Sequence, residues 1–351
     1  MSGYLSPFWL VSASGTPGNL FATVSSGASA FSFLLYTLAS DALSVTDDIS
    51  GMSLGVTGQI DISDDGVYLV KACNQTSGSG SILLAKKTSG VWSVITSPTY
   101  TIVALAAAFS PGASYLAVGF GSAPRLRILG RSGDTFSTGS ITISADTAQQ
   151  VNEICWRPDG NYLVAGCIGS VPFYTYSRSG DAFTRMSNPA SLPSSAVNGC
   201  TYSPDGTVLL LATTSSPFLY AYSFDGTTCT QLSGVIDTAP TGQGNKVKFS
   251  RDGTKAVVAH ATSPYVTVYS VSGTGGSVTL TKMSMTNLPP GTCSSAEFDS
   301  TGGYLAVSYA LSGGYVINLY KLVSGTWSRI QRYNFPTGSA GPTTLFWDKD
   351  R

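Results

Sequence analysis

Short apolar runs, cut by turns rich in Gly, Ser and Asp, recur along the whole chain. The runs "YLVKA", "YLAVG", "YLVAG", "VLLLA", "KAVVA" and "YLAVS" are almost entirely apolar, which predicts strands buried on both faces. Each is followed by an alternating run such as "RLRIL", "FYTYS", "LYAYS", "YVTVYS" or "YVINLY", the pattern of a half-buried strand. No stretch carries the spacing of an amphipathic helix, so the chain is expected to be all-β.

The runs belong to a repeat. An aromatic or aliphatic anchor precedes a tight turn at Ile62, Phe109, Trp156, Tyr202, Phe249, Phe298 and Trp347, at steps of 47, 47, 46, 47, 49 and 49 residues. Strand a ends at the anchor. Asp65-Gly66, Asp159-Gly160, Asp205-Gly206 and Asp252-Gly253 supply the turn, strands b and c follow, and a Ser-Gly or Asp-Gly turn leads into strand d. Four short strands at this period predict the blades of a β-propeller, each too thin to bury both faces without its neighbours.

The expected fold is a single seven-bladed propeller over residues 1–351. The last anchor supplies a strand a after which the chain stops, while "NLFATVS", "FSFLLYTLAS" and "LSVTDD" near the start offer b, c and d without one. The C-terminal strand is therefore expected to complete the N-terminal blade. The units are bounded at 5–50 plus 344–351, then 58–100, 105–147, 152–195, 198–240, 246–288 and 294–335. The leading "PFWLVSAS" is left over, as an extra strand or as the true strand b of that blade.

Composition narrows the chemistry. Charged residues are 11%, against about 25% in an average globular protein, and the formal net charge is zero. Nothing points to nucleic acid or to an anionic membrane. No run reaches the length of a membrane span, and the N-terminus lacks the basic start of a secretory signal. The six cysteines are scattered without a C-x-x-C pair and read as buried small side chains.

Candidate catalytic groups are few. His260 is the only histidine, and the equivalent slots hold Cys73, Phe120, Cys167, Thr213 and Tyr309, so the slot reads as packing. The two glutamates, Glu153 and Glu297, sit at the approach to strand a and suggest no acid pair. The turn aspartates read as backbone fixers. Tyr176, Tyr222, Tyr269 and Tyr320 recur at one position of strand c and read as packing between blades rather than a stacking platform. No phosphate loop or metal-ligand spacing is present, and no catalytic residue, cofactor or metal is expected.

The connections from strand d to the next strand a are long and differ between blades, and variable loops on a rigid scaffold are where binding tends to lie. The contact surface is therefore expected on that face, at Asn188, Pro189, Pro193, Asn198, Asp237, Pro240, Gln243, Asn287, Pro289, Pro290, Asn334 and Pro336.

At "FSPGASYLAVG", "WRPDGNYLVAG" and "YSPDGTVLLLA", with "RSGDTF" and "RSGDAF", the chain resembles WD40-like propellers with S-P-D-G turns, and in particular repeat proteins of tailed-phage particles. Thr301-Gly302 departs from the Asp-Gly pattern, and the Gly-His and Trp-Asp pairs of eukaryotic members are absent. The resemblance implies a non-enzymatic virion component of tail, baseplate, fibre or decoration, made in the host cytoplasm. It implies multiple copies bound to other virion structural proteins and to a host surface glycan or receptor, without nucleic acid or membrane insertion. Two alternatives remain. One is a cytosolic bacterial scaffold. The other is a propeller resembling lactonases, against which stand the single histidine and the lack of a His/Glu/Arg cluster.

Overall fold

The computed structural model describes residues 19–26, 30–39, 41–48, 56–74, 82–311, 314–334, 339–340 and 345–347. They form an all-β propeller. Six four-stranded antiparallel blades are each built from one continuous stretch: blade I (56–95), II (104–137), III (150–185), IV (197–232), V (244–282) and VI (293–334). A further sheet is composite. It joins Asn19–Ser26, Ala30–Ala39 and Ala42–Asp48 to two short C-terminal strands, Ser339–Ala340 and Leu345–Trp347. The expected count of seven blades is thus corrected: the structure shows six, each contiguous in sequence, beside the composite terminal sheet. The leading "PFWLVSAS" lies outside the described residues.

Strand a is innermost. Each strand a packs on the next around the ring, and Leu345–Trp347 touches the inner strands of both blade VI and blade I. Leu345 pairs with Ala22, and Trp347 with Leu20. The indole N–H of Trp347 donates to the Glu297 carbonyl at 3.0 Å, as that of Trp156 donates to Ala108 at 3.1 Å. Apolar cores fill the spaces between successive sheets, with Leu20, Leu38, Leu345 and Trp347 packing against Ile317 and Leu319 of blade VI. Two blades gain a short edge strand from the preceding connection. Thr142–Ile143 runs parallel to strand d of blade III, and Ser284–Met285 to that of blade VI.

The repeated turns have a shared chemistry. In blade I, Ser63 Oγ donates to Asp65 at 2.5 Å and accepts the Tyr68 N–H at 2.8 Å, while Asp65 also takes the Val67 N–H. Ser203/Asp205 and Ser250/Asp252 repeat this. In blade VI, Asp299 accepts the Tyr304 N–H and the Thr301 hydroxyl, which explains how Thr301 replaces Asp there. Gly66, at φ 64°, takes the left-handed position such a turn requires.

Aspartates at the turns between strands c and d also latch neighbouring blades. Tyr68 Oη donates to Asp134 at 2.5 Å, Tyr115 to Asp181 at 2.8 Å, and Tyr304 to Asp41 of the terminal sheet. Lys86 and Lys321 pair with Asp134 and Asp41. On the opposite face, Tyr176, Tyr222, Tyr269 and Tyr320 each donate to a backbone carbonyl of the loop before their own blade, at Ala145, Ser191, Thr238 and Asn287, over 2.8–3.0 Å. The tyrosines of strand c thus pin the d–a loops.

Candidate active site

Every contiguous blade has a β-bulge in strand a at the same place, between Thr57/Ile60, Ala104/Ala106, Val151/Glu153, Val197/Gly199, Gly244/Lys246 and Cys293/Ser295. An inserted residue bends the strand and re-aims the side chains beside it. Asn198 and Asn245, at the bulge, donate to Gly244 and Cys293 carbonyls of the next inner strand at 3.1 and 2.7 Å.

Just past the bulge, side chains cross the axis. Gln59 of blade I reaches two blades on, donating to the Ile154 carbonyl at 2.8 Å and accepting its N–H at 3.1 Å. Lys246 of blade V pairs with Glu153 of blade III, also two blades away, and Glu153 is only 1% exposed. Blade IV lies between them, and its equivalent residue is Gly199. A Cβ there would lie 2.9 Å from Lys246 Cα, so glycine is what lets the inner strands approach closely enough for the crossing.

One layer nearer the a–b turns, Lys248, Glu297 and Asp61 come together. Burial alone would lower the Lys248 pKa, but the carboxylates of Glu297, Glu153 and Asp61 outweigh it and hold the ammonium above its ordinary range. Asp61 accepts the Phe109 N–H at 2.8 Å. Lys248 and Glu297 are half-buried, as are Cys155 and Thr201 in the same layer. The result is a cluster of three carboxylates and two ammonium groups around the axis. Carboxylates can take a proton from water, and a fixed ammonium can stabilise a developing oxyanion.

This corrects the expectation that the glutamates form no cluster. Glu153 and Glu297 lie 144 residues apart in sequence and share one cation. A signal was available. Asp61, Glu153, Lys246, Lys248 and Glu297 are the charged exceptions within otherwise neutral inner strands. His260 is fully buried, with Nε2 2.9 Å from Thr267 Oγ1, and burial drops its pKa to about 4. It stays neutral and away from water, as a packing slot implies.

The expected contact residues are scattered over the d–a face, where Asp237, Asn287 and Asn334 are exposed. Pro193, Pro240 and Pro289 are buried, and Asn198 lies in an inner strand with its amide engaged. Asp237 binds the Lys282 N–H, the Asn287 carbonyl takes the Tyr320 hydroxyl, and Asn334 accepts from Arg332. Asn188, Gln243 and Pro290 are exposed, Pro189 is half-buried, and Pro336 lies outside the described residues. No group of three or more metal-ligating side chains among the described residues could hold a metal, no helix is long and apolar enough to cross a membrane, and the six cysteines are free thiols.

No family model and no curated protein matches the sequence. Solved structures do match. A candidate 6-phosphogluconolactonase from Bacteroides uniformis superposes with a TM-score of 0.68 at 15% identity, covering 95% of this chain and 100% of that one. The periplasmic gluconolactonase PpgL of Pseudomonas aeruginosa gives 0.66 at 17% identity, with 94% and 99% covered. The β-propeller domain of Swd1 from Myceliophteria thermophila gives 0.61 at 12%, with 82% and 89% covered. The chain has the architecture of both the lactonase-like and the WD40 propellers. Identities this low carry the fold alone.

The virion reading is corrected by these findings. It rested on turn and hairpin motifs, which the structure shows to be latches and turn braces of the architecture itself. That architecture is shared with proteins named for lactone hydrolysis. The expectation of a non-enzymatic chain rested on the same resemblance and is corrected with it, since the chain shares its fold with proteins named for lactone hydrolysis.

Proposed function

We propose that the chain is a propeller hydrolase acting on lactones, with the axial cluster as its active site. The observation that carries this reading is the convergence of Lys248 with Glu297, Glu153 and Asp61 at the axis. A lactone opens when water adds to the carbonyl carbon and the ring C–O bond breaks. Half-buried Glu297 takes the proton from the attacking water and returns it to the ring oxygen as it leaves. Lys248, kept cationic by its carboxylate neighbours, faces the charge that develops on the carbonyl oxygen. The Glu153–Lys246 pair fixes the wall behind them. The likeness to PpgL supports the reading at the level of architecture. In the same reading the composite terminal sheet acts as the seventh sector of a closed ring, holding Glu297 in place through the Trp347 bond to its carbonyl.

The test is turnover of glucono-δ-lactone and its 6-phosphate by purified protein, followed by pH-stat against spontaneous opening. Glu297→Gln and Lys248→Met are each expected to lower kcat by about 10²–10³-fold. A wild-type rate equal to the buffer rate on both substrates overturns the proposal.

A further inference from the structure

The interface between blades IV and V is missing the ring found at most others. Tyr68, Tyr115, Tyr162 and Tyr304 open strand b of blades I, II, III and VI. The first three pack edge-on against a phenylalanine of the next blade, Phe136, Phe183 or Phe224, with centroids 4.8–5.6 Å apart. Lys255 of blade V still reaches across, its Nζ 3.4 Å from where a Cβ on Gly302 of blade VI would lie. In blade IV the residue that opens strand b is Val208. Facing it in blade V, Thr274 follows the Ser-Gly pair where blades II and III have Asp134 and Asp181. Leu280 stands in the register of Phe136 and Phe183, since it pairs with Val271 as they pair with Arg131 and Arg178. The tyrosine, the ring it packs on and the carboxylate it bonds are therefore all replaced at one interface.

A cavity of about 240 Å³ lies at this interface, among the a–b turns of blades IV and V and the c–d turn of blade V. Its floor is apolar and buried: Val208, Phe249 and Val278 are 1%, 9% and 2% exposed. Its rim is exposed and polar, with the carboxylates of Asp205 and Asp252 and the hydroxyls of Ser272 and Thr274. The c–d turn of blade V is also longer than its counterparts, with a single 3-10 turn at Gly275–Ser277. The Gly275 N–H donates to Thr207 Oγ1 of blade IV at 2.9 Å. That bond joins the two blades in place of the tyrosine latch, so they stay together without a ring between them.

We propose that this cavity binds a small phenol, whose ring takes the place of the absent tyrosine and whose hydroxyl donates to the polar rim. An apolar cavity of about 150 Å³ holds benzene, so about 240 Å³ leaves room for a ring with its substituents. An apolar floor with a few polar groups at its mouth is the build of a small-molecule site. The neighbouring interfaces show the fit. There the chain's own phenol rings sit between blades, and the hydroxyls of Tyr68 and Tyr115 donate to carboxylates. The proposal does not rest on the lactone-hydrolase reading, because the cavity lies among turns rather than at the axis and its readout is binding.

The experiment titrates the full chain with p-cresol, the tyrosine side chain as a free molecule, and separately with toluene, following binding by calorimetry. p-Cresol is expected to bind with Kd below about 1 mM. Toluene, which lacks the hydroxyl, should bind about fivefold more weakly. Val208→Tyr supplies the ring from within the chain, and Val278→Phe fills the floor. Each is expected to weaken p-cresol at least about tenfold while circular dichroism shows the β fold intact. Val278→Phe reports even if Val208→Tyr fails to fold. Val91→Tyr, at a position 66% exposed on strand d of blade I, should leave binding unchanged. Absence of p-cresol binding, equal affinity for toluene, undiminished binding in a folded Val208→Tyr or Val278→Phe, or equal loss in Val91→Tyr each overturns the proposal.

Discussion

Removing Lys246 is the sharpest test of the axial crossing. Glu153 is 1% exposed, and the Lys246 side chain only 13%. Lys246→Met keeps the aliphatic length and deletes the charge, leaving a buried carboxylate without its direct partner. Breaking a buried pair from one side costs about 3–5 kcal/mol. Lys248 remains within electrostatic reach of Glu153, which places the expected loss near the lower end, about 3 kcal/mol. Lys246→Met/Glu153→Gln removes both charges, so most of that loss should return, giving a coupling of about 2 kcal/mol in the double-mutant cycle. The assay is urea unfolding followed by tryptophan fluorescence. With a slope near the top of about 1–3 kcal/mol/M, the single variant should lower the midpoint by about 1 M. If Lys246→Met and the double variant both lie within about 0.5 kcal/mol of wild type, the pair is solvated and does not bridge the axis.

Two further outcomes follow from single residues. His260 keeps a folded pKa of about 4 against an ordinary 6.5 because burial disfavours its cation. The unfolded chain therefore takes up the proton first, so stability holds above about pH 6.5, falls by up to about 3 kcal/mol between pH 6.5 and 4, and levels below that. His260→Phe, which carries the side chain of the equivalent Phe120, should flatten that segment of a stability-against-pH curve. Trp347→Ala removes a ring that is 3% exposed and its bond to Glu297, and should cost about 3–5 kcal/mol in chemical denaturation, with Trp347→Phe recovering most of it.

Much of the fold was legible because it is local and repeated. The apolar strands b, the alternating strands c and the turn glycines each state one strand or one turn, and the period assembles them. The latches were less legible because they join distant residues. Even so, Tyr68 to Asp134 and Tyr115 to Asp181 are both 66 residues apart, so an offset of one period plus a fixed step was present in the sequence. The Ser-Gly-Asp turn looked like punctuation and proves to be a fastener as well. The parallel additions at Thr142–Ile143 and Ser284–Met285 were not legible. Two residues carry no pattern, and their pairing depends on the loop length of one blade reaching the edge of the next.

The axial site escaped for a deeper reason. A repeat displays what its copies share, and at the axis the copies cannot share a charge. Inner-strand positions from every blade converge there, so one kind of ionised side chain repeated around the ring would set like charges close together with little water between them. The positions before the anchors must therefore diverge. Ala108, Cys155 and Thr201 stand beside Asp61, Lys248 and Glu297, and Gly199 separates Glu153 from Lys246. Averaging over the repeat erases this divergence, whereas subtracting the repeat exposes it. In a ring of like blades the shared residues build the scaffold, and chemistry is to be sought among inward-facing departures from the pattern. Gly199 shows the principle in its smallest form, since the missing side chain is what lets an ion pair pass through the position between two blades.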